Sequence, residues 1–241
     1  FLWPCRSDLR TFPDMHPLFA LSKSWFCRLW QASFTVLLVL VLALPVWADT
    51  ARTVRIKTVF DGDTVLLVTG ETVRLEGIDA PETRHEDKAA QYFGERSKKR
   101  LQELVMTRDL HMISSSRDHY GRILGVLEVT GGRSVNEILV EEGMAFFFPH
   151  RGQSRQLQED LLQSQKTAIG SGRGFWPEIL STQTPAPGWV GNTRSKRFHH
   201  PRCSQGKKIS PKNRMIFPSI KAAFLQGFAP ARGCTPWPEA R

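Results

Sequence analysis

Residues 53–83 read TVRIKTVFDGDTVLLVTGETVRLEGIDAPET, and the alternation in this stretch decides the fold. Over residues 53–60, Val54, Ile56 and Thr58 fall on one face and Arg55 and Lys57 on the other, the period of a half-buried strand. The turn pair Asp61-Gly62 follows, a second strand spans residues 64–68, and Thr69-Gly70-Glu71 turns the chain into a third strand over residues 72–78. Three sequential strands with tight turns predict a meander.

Downstream, residues 83–99 are polar and pass into a helix whose Ser97, Leu101, Leu104 and Val105 recur at helical spacing. Two more strands are expected at residues 110–114 and 122–129, then a short helix opened by the capping box Ser134-x-x-Glu137 and closed at Gly143. A third helix over residues 155–168 carries Leu157, Leu161 and Ala168 on one stripe. Five short strands with a helix after the third predict an α+β fold: a five-stranded, oligonucleotide-binding (OB-fold) β-barrel with about three helices.

The chain has 241 residues, 33 Lys+Arg against 23 Asp+Glu, four Cys and 41% hydrophobic residues, which excludes a disordered chain, a collagen and a disulfide-dense miniprotein. Residues 34–47, FTVLLVLVLALPVW, are fourteen without a charge, preceded by Lys23 and Arg28 and followed by Ala48 and Asp49. As a helix this stretch reaches roughly 21 Å, short of a hydrocarbon core of about 30 Å. Residues 1–48 are therefore read as an upstream segment and signal peptide cut after Ala48, with a periplasmic or extracellular product; the alternative is an anchor over residues 29–48. After cleavage no stable membrane association is expected, and no protein partner is inferred.

Charge divides the remainder. Residues 49–180 hold eighteen Lys+Arg and twenty Asp+Glu, whereas residues 181–241 hold eleven Lys+Arg and one acidic residue, Glu239. The expected organisation is a near-neutral body at 49–180, a Pro-containing linker at 181–190 and a small basic C-terminal module at 191–241, suited to a polyanion. Cys203 and Cys234 both lie in that module, so the body must fold on its apolar core alone.

Taken singly, Asp61-Gly62-Asp63 is a hairpin turn, Arg74 a solvated strand residue and Tyr120-Gly121-Arg122 a turn into a strand. Their conjunction is less ordinary. Asp63 opens the second strand and Asp79 ends the third, so both carboxylates can lie at one end of the barrel. Paired carboxylates with no Cys or His beside them favour a hard cation, Ca²⁺ or Mg²⁺. Glu82 stands three residues on as a candidate base, and the guanidiniums of Arg74 and Arg122 can hold a phosphodiester.

These residues resemble the thermonuclease family, the calcium-dependent nucleases typified by staphylococcal (micrococcal) nuclease. The similarity is carried by residues 59–64 (VFDGDT), 73–83 (VRLEGIDAPET), 118–122 (DHYGR) and 135–137 (VNE), and it spans about residues 52–176. The resemblance implies calcium held by Asp63, Asp79 and the backbone carbonyl of Ala80, with Asp61 behind them. It implies Glu82 as the group that orients or deprotonates water, and Arg74 and Arg122 as the clamp on the scissile phosphate. Tyr120 is expected to touch a neighbouring phosphate, His119 stands where a Lys is common, and Phe148 lies where the family stacks a base on Tyr. The implied reaction is hydrolysis of DNA and RNA to 3′-phosphate ends. The alternatives are a noncatalytic OB-fold nucleic-acid-binding module and a metal-independent phosphodiesterase using His119 or His150.

Residues 191–236 resemble a second family, the zinc-binding domain of the adaptive-response DNA methyl-repair protein, but where a final Cys-x-x-Cys is expected the chain reads Ala231-Arg-Gly-Cys234. Cys203, Cys234 and His199 or His200 supply three ligands, one fewer than structural zinc takes. The expectation leans to a degenerate Zn²⁺ module; the alternative is a disulfide, worth about 3.5 kcal/mol on chain-entropy grounds.

Overall fold

The computed structural model describes residues 50–84, 89–181, 188–234 and 237–238, which belong to one compact unit from Asp49 to Arg241. The expected signal segment and most of the expected linker lie outside the described residues. Among the described residues no helix is long and apolar enough to cross a membrane.

The meander forms, with two breaks and one change of face: a register shift against the next strand between Ile56 and Thr58 leaves Thr58 exposed and buries Val59, where alternation placed Thr58 with Val54 and Ile56. The expected first strand is interrupted at Arg55 into β1 (Thr50–Val54) and β2 (Ile56–Val59). β2 pairs antiparallel with β3 (Thr64–Leu67), which pairs antiparallel with β4 (Thr72–Leu75). The expected third strand stops at Leu75 because Gly77 takes a φ of +78°, a left-handed turn that costs other residues strain. Beyond it β5 (Ile78–Asp79) leaves the sheet.

Helix α1 (Gly94–Val105) follows, burying Ser97, Leu101, Leu104 and Val105 as its spacing predicts. β6 (Leu110–Arg117) and β7 (Ile123–Glu128) form a hairpin, and β7 then runs parallel to β4. The resulting sheet has six strands in the order β1-β6-β7-β4-β3-β2, one more than expected. This is the OB-fold-like barrel with helices, but its ladder does not close: among the described residues β1 and β2 are its two edges.

Helix α2 (Val135–Glu141) begins at the predicted cap, where the Ser134 hydroxyl accepts the Glu137 N–H at 3.3 Å. β8 (Phe146–Phe147) then pairs with β5, so the strand carrying Asp79 is held by the phenylalanine run. α3 (Arg155–Gly170) covers the barrel, and a fourth helix that periodicity did not reveal, α4 (Trp176–Ser181), follows the glycines. The barrel interior is Val65, Leu67, Val73, Leu75, Leu101, Val105, Met112 and Leu127, all about fully buried and each worth roughly 1.5–3 kcal/mol.

The C-terminal residues form a four-stranded sheet, β11-β9-β10-β12, from β9 (Trp189–Asn192), β10 (Arg197–His199), β11 (Arg214–Phe217) and β12 (Ala229–Pro230). Two short helices, α5 (Ser204–Lys207) and α6 (Ile220–Leu225), join these strands. A second apolar core is shared between the two parts of the chain. Phe146, Ala168, Phe175 and Trp176 pack in one cluster with Trp189, Phe198, Phe224 and Phe228. Buried Gln165 ties the same seam, accepting the Phe147 N–H at 2.8 Å and donating to the Phe224 carbonyl at 2.7 Å. Trp237 adds a third tie, its indole N–H donating to the Tyr92 carbonyl at 2.9 Å.

Candidate active site

Strand register places the basic side chains. Val73 lies opposite Ile123 and Arg74 opposite Leu124 in the parallel β4–β7 pair, so Arg122, one residue before β7, shares the face of Arg74. Thr64 lies opposite Arg74 across β3–β4, which brings the turn at Asp61–Asp63 to the same end.

That turn is locked from below. A Cβ on Gly62 would stand 2.6 Å from the Ala80 Cβ and 2.7 Å from the Ser97 Cβ, so only glycine lets the turn rest on α1 and the strand end. Asp61 Oδ1 accepts the Asp63 N–H at 3.0 Å. Asp63, 5% exposed, accepts the Thr64 hydroxyl at 2.9 Å on one oxygen and the Ala80 N–H at 2.7 Å on the other. Asp79 is 4% exposed. The two carboxylates converge on one guanidinium: Arg74 is ion-paired through Nη1 to Asp63 Oδ2 and through Nη2, at 2.6 Å, to Asp79 Oδ1.

The electrostatics record a surplus of negative charge. Burial, with the Asp63 charge next, lifts the Asp61 carboxyl to about 7. Burial raises Asp79 as well, although Arg74 pulls the other way. For Arg74 burial acts downward, but Asp63, Asp79 and Asp61 outweigh it and hold the guanidinium above its ordinary value. Asp63, Asp79 and Glu82 are ion-paired to two guanidiniums, Arg74 and Arg232, while Asp61 feels the Arg74 charge and Arg197 the Asp79 charge without an ion pair. Hard oxygen donors in excess of nearby cations fit a divalent ion such as calcium, with Asp63 and Asp79 as its carboxylates and Ala80 adjoining.

Arg232 was invisible to sequence reasoning. It comes from the residues after β12, 153 positions from Asp79, and contacts Asp79 Oδ1 and, at 3.3 Å, Glu82 Oε1. A lone Arg in a basic tail carries no signal that would assign it. Glu82 itself is held through its backbone, its N–H donating to Gln91 Oε1 at 2.8 Å and its carbonyl accepting the Gln91 N–H at 2.9 Å.

On the other strand, Asp118 organises Arg122. One carboxylate oxygen accepts the Tyr120 and Arg122 N–H groups at 2.9 and 3.0 Å, and the other accepts Arg122 Nε at 2.8 Å. His119 and Tyr120 are exposed at the rim, their rings 3.8 Å apart, with Arg122 over the Tyr120 ring at 5.3 Å. A cleft of about 320 Å³ joins Arg74, Asp118, His119, Arg122, Phe148 and His150. Glu76, also on this cleft, faces His150 Nε2 at 3.5 Å. Phe148 is half-buried, and the Arg197 guanidinium lies over its ring at 3.5 Å. Burial lowers Arg197 to about 10. Beyond His150 a second cleft of about 580 Å³ is lined by Arg151, Arg194, Lys196 and Arg197, with no carboxylate among its lining residues.

Of the zinc and disulfide alternatives for the C-terminal residues, the structure has the disulfide: Cys203 and Cys234 are joined. Joined sulfurs offer no thiolate, so the disulfide form does not hold the expected Zn²⁺. His199 Nδ1 lies 3.2 Å from Cys234 Sγ, so the three side chains stay within 4.8 Å of one another as a potential metal cluster after reduction.

Comparison with known proteins identifies relatives of this chain. The family model of the staphylococcal nuclease homologue matches residues 72–178. A micrococcal nuclease of Shigella flexneri is 36% identical over 152 residues, covering 58% of this chain and 81% of its own. Protein ParB of Escherichia coli is 34% identical over 153 residues, 59% of this chain and 81% of its own. An endonuclease of Haemophilus influenzae is 31% identical over 150 residues, 60% of this chain and 77% of its own. The strands that bring Asp63, Asp79, Arg74 and Arg122 to one end of a barrel, together with these relatives, place the chain in the staphylococcal nuclease (thermonuclease) family, as a nuclease.

Proposed function

We propose that the chain is an exported, calcium-dependent nuclease that hydrolyses phosphodiester bonds of DNA and RNA with little sequence specificity, leaving 3′-phosphate ends. The observation that carries this is the convergence of Asp63 and Asp79 on Arg74, with Glu82 joined to Asp79 through Arg232. Bound calcium supplies a Lewis acid that polarises a phosphoryl oxygen. The chain does the rest. Arg74 and Arg122, on one face of adjacent strands, hold the phosphate and offset its growing charge. Glu82, partly solvent-facing, orients water and takes its proton. A site built on phosphate contacts reads little sequence, which favours both DNA and RNA as substrates. Export rests on the sequence of residues 34–48, and an open site of two carboxylates and a carbonyl suits an extracellular calcium level, with affinity on the order of 10⁻⁴–10⁻³ M.

The test is digestion of plasmid DNA and of RNA by the purified chain in calcium, in magnesium and in chelator, with end-group analysis of the products. Calcium should activate strongly and magnesium weakly, because magnesium demands near-ideal octahedral geometry. Full activity in chelator would instead favour His119 or His150 as acid and base, and full activity in magnesium alone would mean the carboxylate pair is misassigned.

A further inference from the structure

We propose that Arg232 is a third phosphate-binding arginine of the active site, delivered by the C-terminal residues and held on Asp79 and Glu82 until a divalent cation takes Asp79. The proposal rests on the nuclease function above and adds a residue that the matched span, residues 72–178, does not contain.

The backbone around Arg232 is fixed on both sides. The Ala231 N–H donates to the Phe198 carbonyl at 2.9 Å, which continues the parallel pairing of β12 with β10. The Cys234 N–H donates back to the Ala231 carbonyl at 3.0 Å, and Cys234 is joined to Cys203. A guanidinium presented from so constrained a turn loses less freedom on binding than one on a loose tail.

The partners are more telling than the contact itself. Asp79 is buried and already paired to Arg74 within the barrel, so the carboxylate does not depend on Arg232, 61% exposed, for its only partner. Arg232 and Arg74 both hydrogen-bond Asp79 Oδ1, Arg232 from the solvent side and Arg74 from the interior, where its side chain is 12% exposed. A cation that takes this oxygen must displace both guanidiniums from it. Arg74 then faces the scissile phosphate, and Arg232, beside Glu82, faces it from solvent. Its planar fork matches phosphate oxygens in pairs, as a lysine cannot.

The experiment compares the full wild-type chain with Arg232→Ala and Arg232→Lys in two calorimetric titrations, with thermal melting to confirm folding. The first titrates calcium alone, without nucleic acid; removing a competing cation should tighten binding about threefold or more in Arg232→Ala. The second titrates a nucleoside 3′,5′-bisphosphate at saturating calcium. Affinity should fall about 10- to 100-fold in Arg232→Ala, the loss expected for charge-assisted hydrogen bonds, and by less in Arg232→Lys. Opposite shifts in the two titrations support the proposal, since a structural prop would move both the same way or neither. Unchanged bisphosphate affinity overturns it, whether or not calcium binds more tightly. If the wild type itself fails to bind the bisphosphate with calcium, the nuclease reading fails first and this proposal with it. Should Arg232→Ala not fold, Arg232→Gln, which also removes the charge, decides by the same two signs.

Discussion

Asp79 is the residue on which the site's charges meet, because it is buried, paired to Arg74 within the barrel and paired to Arg232 from outside it. Glu82 differs in kind: its backbone is fixed by Gln91 while its carboxylate stays partly open to solvent. A base that must exchange protons with water needs that access, whereas a cation ligand needs the enclosure of Asp63 and Asp79. Glu82→Gln should therefore lower turnover by roughly 10²–10⁴ while calorimetric calcium affinity stays within a few-fold. Wild-type turnover in that variant would remove Glu82 from the chemistry. Asp118 does its work through another residue. Asparagine there can still accept the Tyr120 and Arg122 N–H groups, but it gives up the charge that holds Arg122 Nε. Asp118→Asn is expected to fold normally and to lose about 10- to 100-fold in kcat/KM, the scale of a slightly misplaced catalytic contact. A variant as active as wild type would show that Arg122 needs no such support.

At the scale of elements, the site depends on how the turn at Asp61–Asp63 seats on α1. The Ser97 hydroxyl donates to the Met144 carbonyl at 2.6 Å, so the helix surface under Gly62 is itself pinned. Because neither Ser97 nor Ala80 can retreat easily, Gly62→Ala should cost about 1–3 kcal/mol and shift Asp61 and Asp63 together. Denaturant unfolding and turnover measured on one preparation test this, and unchanged turnover would mean the turn tolerates the methyl group. The same elements show what periodicity can and cannot reveal. The meander, α1, the Ser134 cap and α3 were legible because alternation, helical stripes and capping boxes are local patterns. The end of β4 was not, since Gly77 breaks a run whose hydrophobicity continues, and β5 exists only because Phe146–Phe147 arrives from far along the chain to pair with it. In the candidate site, Asp63, Asp79, Glu82, Arg74 and Arg122 could be named from spacing and resemblance. Arg232 and Arg197 could not, because their relation to the site is made by tertiary packing alone.

The whole molecule joins a near-neutral barrel to a basic sheet, and the join is apolar where it must hold and cationic where it faces the cleft. Phe146 and Trp176 on one side and Trp189, Phe198 and Phe224 on the other are all at most 4% exposed, so cutting the chain after Ser181 would uncover a large apolar face. Charge is therefore better probed by substitution than by truncation. Arg151 and Arg194 are exposed on the lining of the basic cleft, which continues past His150 from the cleft holding Arg74 and Arg122. Neither packs in the barrel's core, and each can meet a backbone phosphate on a strand longer than the catalytic pocket holds. If both do so, each releases counterions, and log K falls with log salt by about 0.7 for every phosphate contact to a single strand. Arg151→Gln combined with Arg194→Gln should then shrink the slope by about 1.4 for a long single strand, measured on slow-turnover Glu82→Gln protein in calcium. For a dinucleotide, too short to extend from the scissile phosphate into this cleft, the slope should hold. A long-strand slope that does not move would take the nucleic acid out of the basic cleft and leave its charge to solubility alone.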